Sequence, residues 1–528
     1  MTLLLHELPQ RSARRTPDAV ALVDRDRQLT YADLADRIER VGSAYVTHGL
    51  GAGERVAIAL PKTAEAVVAM FAAAAAGGVF VPVNALLKPV QMTHILSDSR
   101  ARILVTNRAR FDALRPHLGE LPGLHTVFLV DDVPDDAPEG VELYAFELAV
   151  KATPRERHRR IDADVLSIFY TSGSTGKPKG VTLSHANMVI GAESVAQYLE
   201  NTAEDRLLAA LPFSFDYGFS QLSTAFLVGA RVVLLEYLLP RDVLRKLGSE
   251  RITGLAGVPP LFGQLAGLKW PEGCVDHLRY FTNSGGAMPK ATLAALRERA
   301  PAAKPYLMYG LTEAFRSTFL PPDEVDTRPE SMGKAIPNAD VMVLNENGER
   351  CAPGEIGELV HRGALVSLGY WNNPEKTAER FKTLPLEDGR VMQEVAVFSG
   401  DNVRMDEDGF LYFVGRRDEM IKTSGYRVSP NEIEEVIYDA GVVEEAVAFG
   451  AAHKDLGQGI VVVAAKPVNN ESPEDAIVAA CREALANFMV PRKVVMLDSL
   501  PRNPNGKIDR KTLSDRYADA FAAGSSAS

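Results

Sequence analysis

Tyr170-Thr171-Ser172-Gly173-Ser174-Thr175-Gly176-Lys177-Pro178-Lys179-Gly180 is the stretch from which the rest of the chain can be read. The run before it, Val165-Leu166-Ser167-Ile168-Phe169-Tyr170, is largely apolar and predicts a buried strand. After it, Val181-Thr182-Leu183-Ser184 reads as extended, and Ser184 is placed to cap a helix beginning near His185. Residues 171–180 hold three glycines, four hydroxyl side chains and two lysines. Glycines let backbone N–H groups turn towards an anion, hydroxyls donate further hydrogen bonds, and lysine neutralises charge. That is the equipment for holding a polyphosphate.

A Gly/Ser-rich surface turn is the blander reading, but it leaves two lysines and a flanking buried strand without a purpose. The ordinary P-loop, G-x-x-x-x-G-K-[ST], fails on spacing. Gly173 and Gly176 are three apart, and Lys177 is followed by Pro178 instead of a magnesium-binding hydroxyl. The stretch is a phosphate cradle of another kind.

At 528 residues the chain has room for about two to four domains and a large core. Its 46 % hydrophobic and 24 % charged content is that of a globular protein, and the net charge of −11 argues against a nucleic-acid surface. Cys274, Cys351 and Cys481 have no CxxC spacing, so neither a disulfide framework nor a zinc site is expected, and a reducing cytoplasm suits them. No targeting segment is expected, because residues 1–5 are too short for a signal core and run into His6 and Glu7. The uncharged stretch 66–83 is broken by Gly77-Gly78 and Pro82. It predicts a buried helix followed by a strand, not a membrane span.

Residues 20–130 alternate strand and helix. Thr30 caps an expected helix with apolar positions Leu34, Ile38, Val41 and Tyr45, and Gly49 stops it. Strands are expected near 56–60, 79–83, 103–105 and 127–130, whereas 131–160 reads mostly as loop. Strands spaced by helices imply parallel sheets with helices on their faces. Beyond the cradle, strands near 207–211, 252–256, 280–283 and 306–308 each run into a polar or glycine-rich turn. In open α/β sheets the ligand crevice lies beyond the carboxyl ends of the strands, so these turns point to one shared site. From about 335 to 415 short strands and turns predict a β-rich subdomain. Gly415-Arg416-Arg417-Asp418 interrupts that pattern, and a domain boundary is expected there. The small α+β unit over 416–515 opens its first helix with an expected capping box, Ser429-Pro430-Asn431-Glu432. A disordered tail is expected over 516–528. The expected fold class is α/β: a large N-terminal domain, 1–415, and a small mobile α+β C-terminal domain.

Taken in order, these segments resemble the AMP-forming adenylating enzymes: acyl-CoA ligases, luciferases and peptide-synthetase adenylation domains. Residues 170–180 match the family's phosphate loop, Tyr309-Gly310-Leu311-Thr312-Glu313 its Tyr-Gly-x-Thr-Glu, and Ser399-Gly400-Asp401 its (Thr/Ser)-Gly-Asp. Residues 415–422 match Gly-Arg-x-Asp-x-x-Lys, and 501–507 match Pro-x-x-x-x-Gly-Lys. The phrase over 417–427 is most similar to acyl-CoA ligases associated with exosortase gene clusters.

The resemblance implies two half-reactions. A carboxylate attacks the α-phosphate of ATP to give an acyl-adenylate and pyrophosphate, then the thiol of CoA or of a carrier-protein phosphopantetheine displaces AMP. It implies that Thr171, Ser172, Gly173, Ser174, Thr175, Gly176 and Lys179 grip the β- and γ-phosphates. Thr312 meets the α-phosphate, and Glu313 with Thr175 holds Mg²⁺. Gly285, Gly286, Ala287, Tyr309 and Gly310 line the adenine side, while Asp401, Arg416 and Lys422 serve the rest of the nucleotide. Lys507 bridges the reacting oxygens during adenylation. Asp418 is the implied hinge about which the small domain carries Lys507 away and brings Gly425, Tyr426 and Arg427 to the thiol's channel.

For the acid, many relatives acting on fatty or aromatic acids carry histidine where this chain has Phe215. Amino-acid-activating members carry aspartate at the position of Asp216, where it binds the ammonium. Tyr217, Ser220, Gly257, Thr282, Ser284, Met308, Arg316 and Ser317 match the other pocket positions, a small and fairly polar set suited to a small polar or amino acid. Arg316 either meets a second carboxylate on the substrate or pairs with Asp216. The alternative is an aliphatic or aryl acyl-CoA synthetase without amino-group recognition. A non-catalytic nucleotide binder would lack Glu313 or Lys507, and an ATPase or kinase would release ADP. Expected partners are a small carboxylic acid and CoA or a separate carrier protein, with no nucleic acid and no membrane, in a monomer or homodimer. Substituting Lys507→Ala is expected to slow adenylate formation by about 10²–10³-fold, the usual cost of one transition-state partner. Thioester formation from supplied acyl-adenylate, followed by rapid quench, is expected to change far less.

Overall fold

The computed structural model describes residues 4–171, 178–384, 393–416, 420–467, 472–501 and 508–522, without the side chains of Arg416 and Asn431. Among these residues three sheets organise the chain. The first runs, in spatial order, Glu142–Ala145, Thr126–Leu129, Ala101–Thr106, Arg55–Ala59, Val79–Pro82, Val165–Thr171 and Lys179–Ser184. Its pairs are parallel except the last, where Thr171 lies opposite Lys179 and Tyr170 opposite Gly180. The cradle is thus the connection of an antiparallel hairpin at the edge of a parallel sheet. Helix Ala64–Ala75 is buried around its whole circumference, which is why its sequence is apolar on every face. Thr63 caps it, and Gly77 at φ +80° turns the chain where a Cβ would lie 2.6 Å from the His158 carbonyl oxygen.

The second sheet carries most of the site. Its parallel part contains Val20–Asp24, Arg231–Leu234, Arg206–Ala209, Gly254–Gly257, Tyr280–Asn283 and Lys304–Tyr309. The hydrogen bonding then passes without a break into antiparallel strands, Thr318–Leu320, Ser331–Ala335, Leu411–Arg416, Val395–Met405, Ile356–Gly363 and Ala339–Leu344. The β-rich segment expected from 335 is therefore an extension of this same sheet.

Four aromatic rings lock the acid-side helix, Asp216–Val228, onto the first sheet. Phe219 from that helix stacks on Phe80 at 5.1 Å and on Phe71 at 5.8 Å, with Phe169 edge-on at 5.9 Å. Burying each such ring is worth about 1.5–3 kcal/mol. The turn before the helix folds back so tightly that a Cβ on Gly218 would sit 2.0 Å from the Pro212 carbonyl oxygen. Only glycine fits there, and the tight return is what aims Asp216 and Tyr217 inward.

The small sheet contains Ile421–Thr423, Tyr426–Val428, Val443–His453, Gly457–Pro467 and Lys493–Leu497. Two expectations are corrected here. The capping box at Ser429 does not form: Ser429 makes no side-chain cap, and Glu432 turns to the large domain instead. The chain beyond Arg516 is also more ordered than a disordered tail. Turns continue to Ala522, Ala520 is buried, and Phe521 packs on Gly459 and edge-on to His453 at 5.2 Å. Residues 523–528 lie outside the described residues. No described helix is long and apolar enough to cross a membrane.

Candidate active site

The carboxyl ends of two neighbouring parallel strands, together with one antiparallel strand, form the candidate nucleotide side. Lys304–Tyr309 ends in Tyr309, whose hydroxyl donates to Asp401 Oδ2 at 2.5 Å. Asp401 is buried and lies directly opposite Arg416 in the antiparallel ladder. Its own N–H donates to Ser399 Oγ at 3.0 Å, and that hydroxyl donates to the Leu359 carbonyl at 2.7 Å. The Gly400 N–H donates to Glu358 Oε1 at 2.8 Å. The serine that stands in the usual threonine place thus braces the aspartate. After Tyr280–Asn283, Gly285 adopts φ +80°, and a Cβ added there would have no neighbour nearer than Val258 at 3.6 Å. Asn283 Nδ2 donates to the Gly286 carbonyl at 2.9 Å and holds this ledge in shape.

On the phosphate side, Thr171 and Lys179 flank the hairpin connection, and the Lys179 ammonium lies 5.0 Å from the Tyr370 ring centroid. Tyr370 also donates its hydroxyl to Glu313 Oε1 at 2.6 Å. Burial, then the Glu313 charge, raises the Tyr370 phenol well above its ordinary range, so it remains a donor. Tyr370 thereby joins the cradle's lysine to the carboxylate expected to hold Mg²⁺. The sequence carries no signal for it: Tyr370 belongs to no motif, and nothing in its spacing announces a partner 57 residues earlier. Lys422 extends its ammonium over the Phe413 ring at 5.4 Å. Ser172, Gly173, Ser174, Thr175, Gly176, Asp418 and Lys507 lie outside the described residues, as does the Arg416 side chain.

The acid side is built on the first turn of Asp216–Val228. Asp216 is buried and does not cap its helix; it accepts from Thr312 Oγ1 at 3.1 Å. Burial pushes its carboxyl up, opposed by the Arg316 charge and the Thr312 hydrogen bond. The Tyr217 hydroxyl reaches the Thr282 carbonyl at 2.8 Å and the Thr282 hydroxyl at 2.6 Å. The Arg316 guanidinium lies over the Tyr217 ring at 4.7 Å, and Met308 Sδ accepts from the Tyr198 hydroxyl at 3.0 Å. A Cβ on Gly257 would meet the Phe262 ring at 2.7 Å. Ser220 and Ser284 are buried beside them. Ser317 faces elsewhere: its hydroxyl is 2.9 Å from His361 Nδ1, whose burial lowers that imidazole to about 4.

The small domain closes this crevice. Gly425 at φ +82° presses against Val258, and its carbonyl faces Gly285. Ser424, Gly425 and Tyr426 form one wall of a cavity of about 270 Å³, with Phe213, Phe215 and Tyr237 among the large-domain residues opposite. Tyr426 stacks on Phe488 at 3.9 Å, and Gln91 Nε2 donates to Glu432 Oε1 at 3.1 Å across the domain contact. Phe215 of the cavity wall is the residue before the buried Asp216.

Comparison with known proteins agrees with this geometry. Residues 9–371 match the model of the AMP-binding enzyme family, and 432–507 match the AMP-binding enzyme C-terminal domain. A linear gramicidin synthase of Brevibacillus parabrevis is 31 % identical over 97 % of this chain, which spans 6 % of that protein. A long-chain-fatty-acid–CoA ligase of Salmonella typhimurium is 30 % identical over 97 % of this chain and 94 % of its own length. A solved o-succinylbenzoate CoA synthetase from Bacillus subtilis superposes with a TM-score of 0.82 at 27 % identity, covering 96 % of this chain and 98 % of the other. The chain belongs to the AMP-binding enzyme family. With that membership go ATP-dependent activation of a carboxylic acid and its transfer to a thiol, of CoA or of a carrier.

Glu432 is expected to make the domain contact sensitive to pH. Gln91 donates to it and also reaches Met489 Sδ, Glu435 repels it, and burial pushes its carboxyl from 4.5 up to about 7. An acid whose buried pKa is raised favours the buried state fully below its free pKa, and the gain fades as pH rises through the buried pKa. The docked arrangement is therefore expected to loosen between pH 4.5 and pH 7, by roughly 3 kcal/mol at full ionisation. Energy transfer between dyes on the two domains, read from pH 5 to pH 8, checks this; Glu432→Gln is expected to flatten the profile.

Proposed function

We propose that this chain activates a small polar or amino acid as its adenylate and passes the acyl group to CoA or to the phosphopantetheine of a separate carrier protein. The observation that carries the substrate reading is Asp216: a buried carboxylate one hydrogen bond from Thr312, next in sequence to Phe215 of the cavity wall. An ammonium placed beside it would gain a charge-assisted hydrogen bond in a site shielded from water.

In adenylation the acid's carboxylate oxygen bonds to the α-phosphorus of ATP and pyrophosphate leaves. Both reactants are anions, so the chain must supply positive charge and fixed donors where negative charge collects. Thr171 and Lys179, with residues 172–176 between them, hold the β- and γ-phosphates. Gly285, Gly286, Ala287, Tyr309 and Gly310 offer a flat, side-chain-free ledge to the base. Asp401 and Arg416 take the ribose, with Lys422 on the same side. Mg²⁺ is bound through one or two carboxylates plus substrate phosphates, and Glu313 fits, since Tyr370 fixes one oxygen and leaves the other without a partner among the described residues. There it would neutralise the phosphates and orient the leaving group. Lys507, carried on the small domain, bridges the reacting oxygens.

For transfer, the small domain swings about Asp418 and brings Gly425, Tyr426 and Arg427 to the crevice, the arrangement in which Gly425 meets Val258. The thiol enters through the cavity, its sulfur bonds to the acyl carbon, and AMP departs. The domains so divided are 1–415 and 416–515. Three unpaired cysteines suit a reducing cytoplasm.

Acid-dependent pyrophosphate exchange across amino, aryl and aliphatic acids, followed by CoA and a phosphopantetheinylated carrier, tests the proposal. Asp216→Ala is expected to lower kcat/KM for the best amino acid by about 10–100-fold, the worth of one charged hydrogen bond. The matching acid without the amino group is expected to lose little. Fatty acids as best substrates with Asp216→Ala fully active would overturn the amino-acid reading, though not the adenylation itself.

A further inference from the structure

Arg316 is the bulkiest of the wholly buried side chains, at 2 % exposure. A guanidinium carries five donors and stays charged at any physiological pH, so one held away from water needs an anion and acceptors beside it. None of the described residues supplies them. Nε is buried without a hydrogen-bond partner, and the guanidinium's close contact is the face of Tyr217 at 4.7 Å. Asp216 is near enough to feel the charge but not to form an ion pair with it, and its Oδ1 is taken by Thr312. The two charges feel each other without forming an ion pair, so the guanidinium is left without a direct anionic partner among the described residues.

The backbone is bent to put Arg316 in this place. Phe315 is held at φ +55°, in the left-handed region that a bulky side chain rarely adopts, and is 0 % exposed. Its ring is seated on Gly191, where a Cβ would lie 2.5 Å away. Strain of this kind persists only where the surroundings over-determine it, and it gathers at ligand sites. The residue it delivers is three positions beyond Glu313 and four beyond Thr312, so the guanidinium lies within one short loop of the reacting centre. Polar lining continues past Asp216 as well. Ser220 and Thr224 follow it at four-residue intervals on helix Asp216–Val228, on one face, and both hydroxyls are buried without a partner.

We infer that the acid activated here carries a second carboxylate, bound by Arg316, so that the substrate class is a short dicarboxylic acid. The inference rests on the adenylation reading above and narrows it. The first carboxylate meets ATP beside Thr312, and the second completes a guanidinium that the protein itself leaves without an anion. An amino group, if present, falls to Asp216, which makes the two determinants separable.

The test is acid-dependent pyrophosphate exchange with four matched pairs that differ by one carboxylate: propanoate and succinate, butanoate and glutarate, alanine and aspartate, 2-aminobutanoate and glutamate. In at least one pair, kcat/KM is expected to favour the dicarboxylate by about 10–100-fold, the worth of a charged hydrogen bond to a buried partner. Arg316→Met is expected to bring that ratio to near unity and Arg316→Lys to keep part of it. Melting temperature without substrate gives a readout that no substrate choice affects. Exchanging an unpartnered buried charge for a methionine is expected to leave the chain as stable as before or more so. Preference for the monocarboxylate in every pair, a dicarboxylate preference unchanged in Arg316→Met, or an Arg316→Met chain that melts lower or fails to fold would each overturn the proposal. Exchange confined to monocarboxylic or aryl acids would overturn it too, yet leave adenylation standing. Comparing amino with non-amino pairs reports on Asp216 alone.

Discussion

The hydrogen bond from the Tyr309 hydroxyl to Asp401, 2.5 Å long, joins the two halves of one continuous sheet directly, side chain to side chain. Tyr309 ends the last parallel strand; Asp401 sits far along the antiparallel extension. A buried carboxylate is costly unless donors bind it; the Tyr309 hydroxyl binds this one, while the Asp401 backbone N–H donates to Ser399, which donates in turn to the Leu359 carbonyl. Because this run of hydrogen bonds ends on the backbone of Ile356–Gly363, Asp401 is anchored to the sheet itself. The glycine ledge at 285–286 and the Thr312-Glu313 turn then stand at fixed distances from it.

Around this frame the molecule spends its buried charges sparingly. Lys62, buried at the cavity wall, is paired with Glu236 at 3.1 Å. Asp205 is paired with Arg279 at 2.7 Å and further bound by Thr253. Asp216, Arg316 and Glu432 are different, because each lacks an opposite charge within ion-pair reach among the described residues. Glu432 meets the large domain through Gln91, and Asp216 and Arg316 are the residues proposed to meet the acid. Buried groups left incomplete in this way mark ligand and docking sites better than paired ones do.

Much of this could be read from residues alone. Period and punctuation reveal the parallel strands, the buried helix 64–75 and the Ser184 cap, since those depend on local spacing. The polar turns at 216, 285 and 312 follow strand ends, and the fold brings them together. Other features depend on partners distant in sequence and leave no periodic trace. Tyr370 matters because Glu313 and Lys179 come to it. Ser429 fails as a cap because Glu432 finds Gln91 on another domain, and Phe521 is ordered because Gly459 leaves room for its ring. Whether Arg316 pairs with Asp216 could be asked from the sequence but answered only by their placement.

The corner formed by Tyr309 and Asp401 offers the most direct check that the crevice binds an adenine nucleotide as described. Titration calorimetry of AMP into the full-length chain and into Asp401→Ala reads it without any knowledge of the acid or the thiol. Loss of a charged acceptor to the ribose is predicted to weaken AMP by about 10–100-fold, alongside a lower melting temperature because Tyr309 loses its acceptor. Equal affinity of the two proteins for AMP would contradict the placement of the nucleotide, and with it the route by which acid and thiol meet.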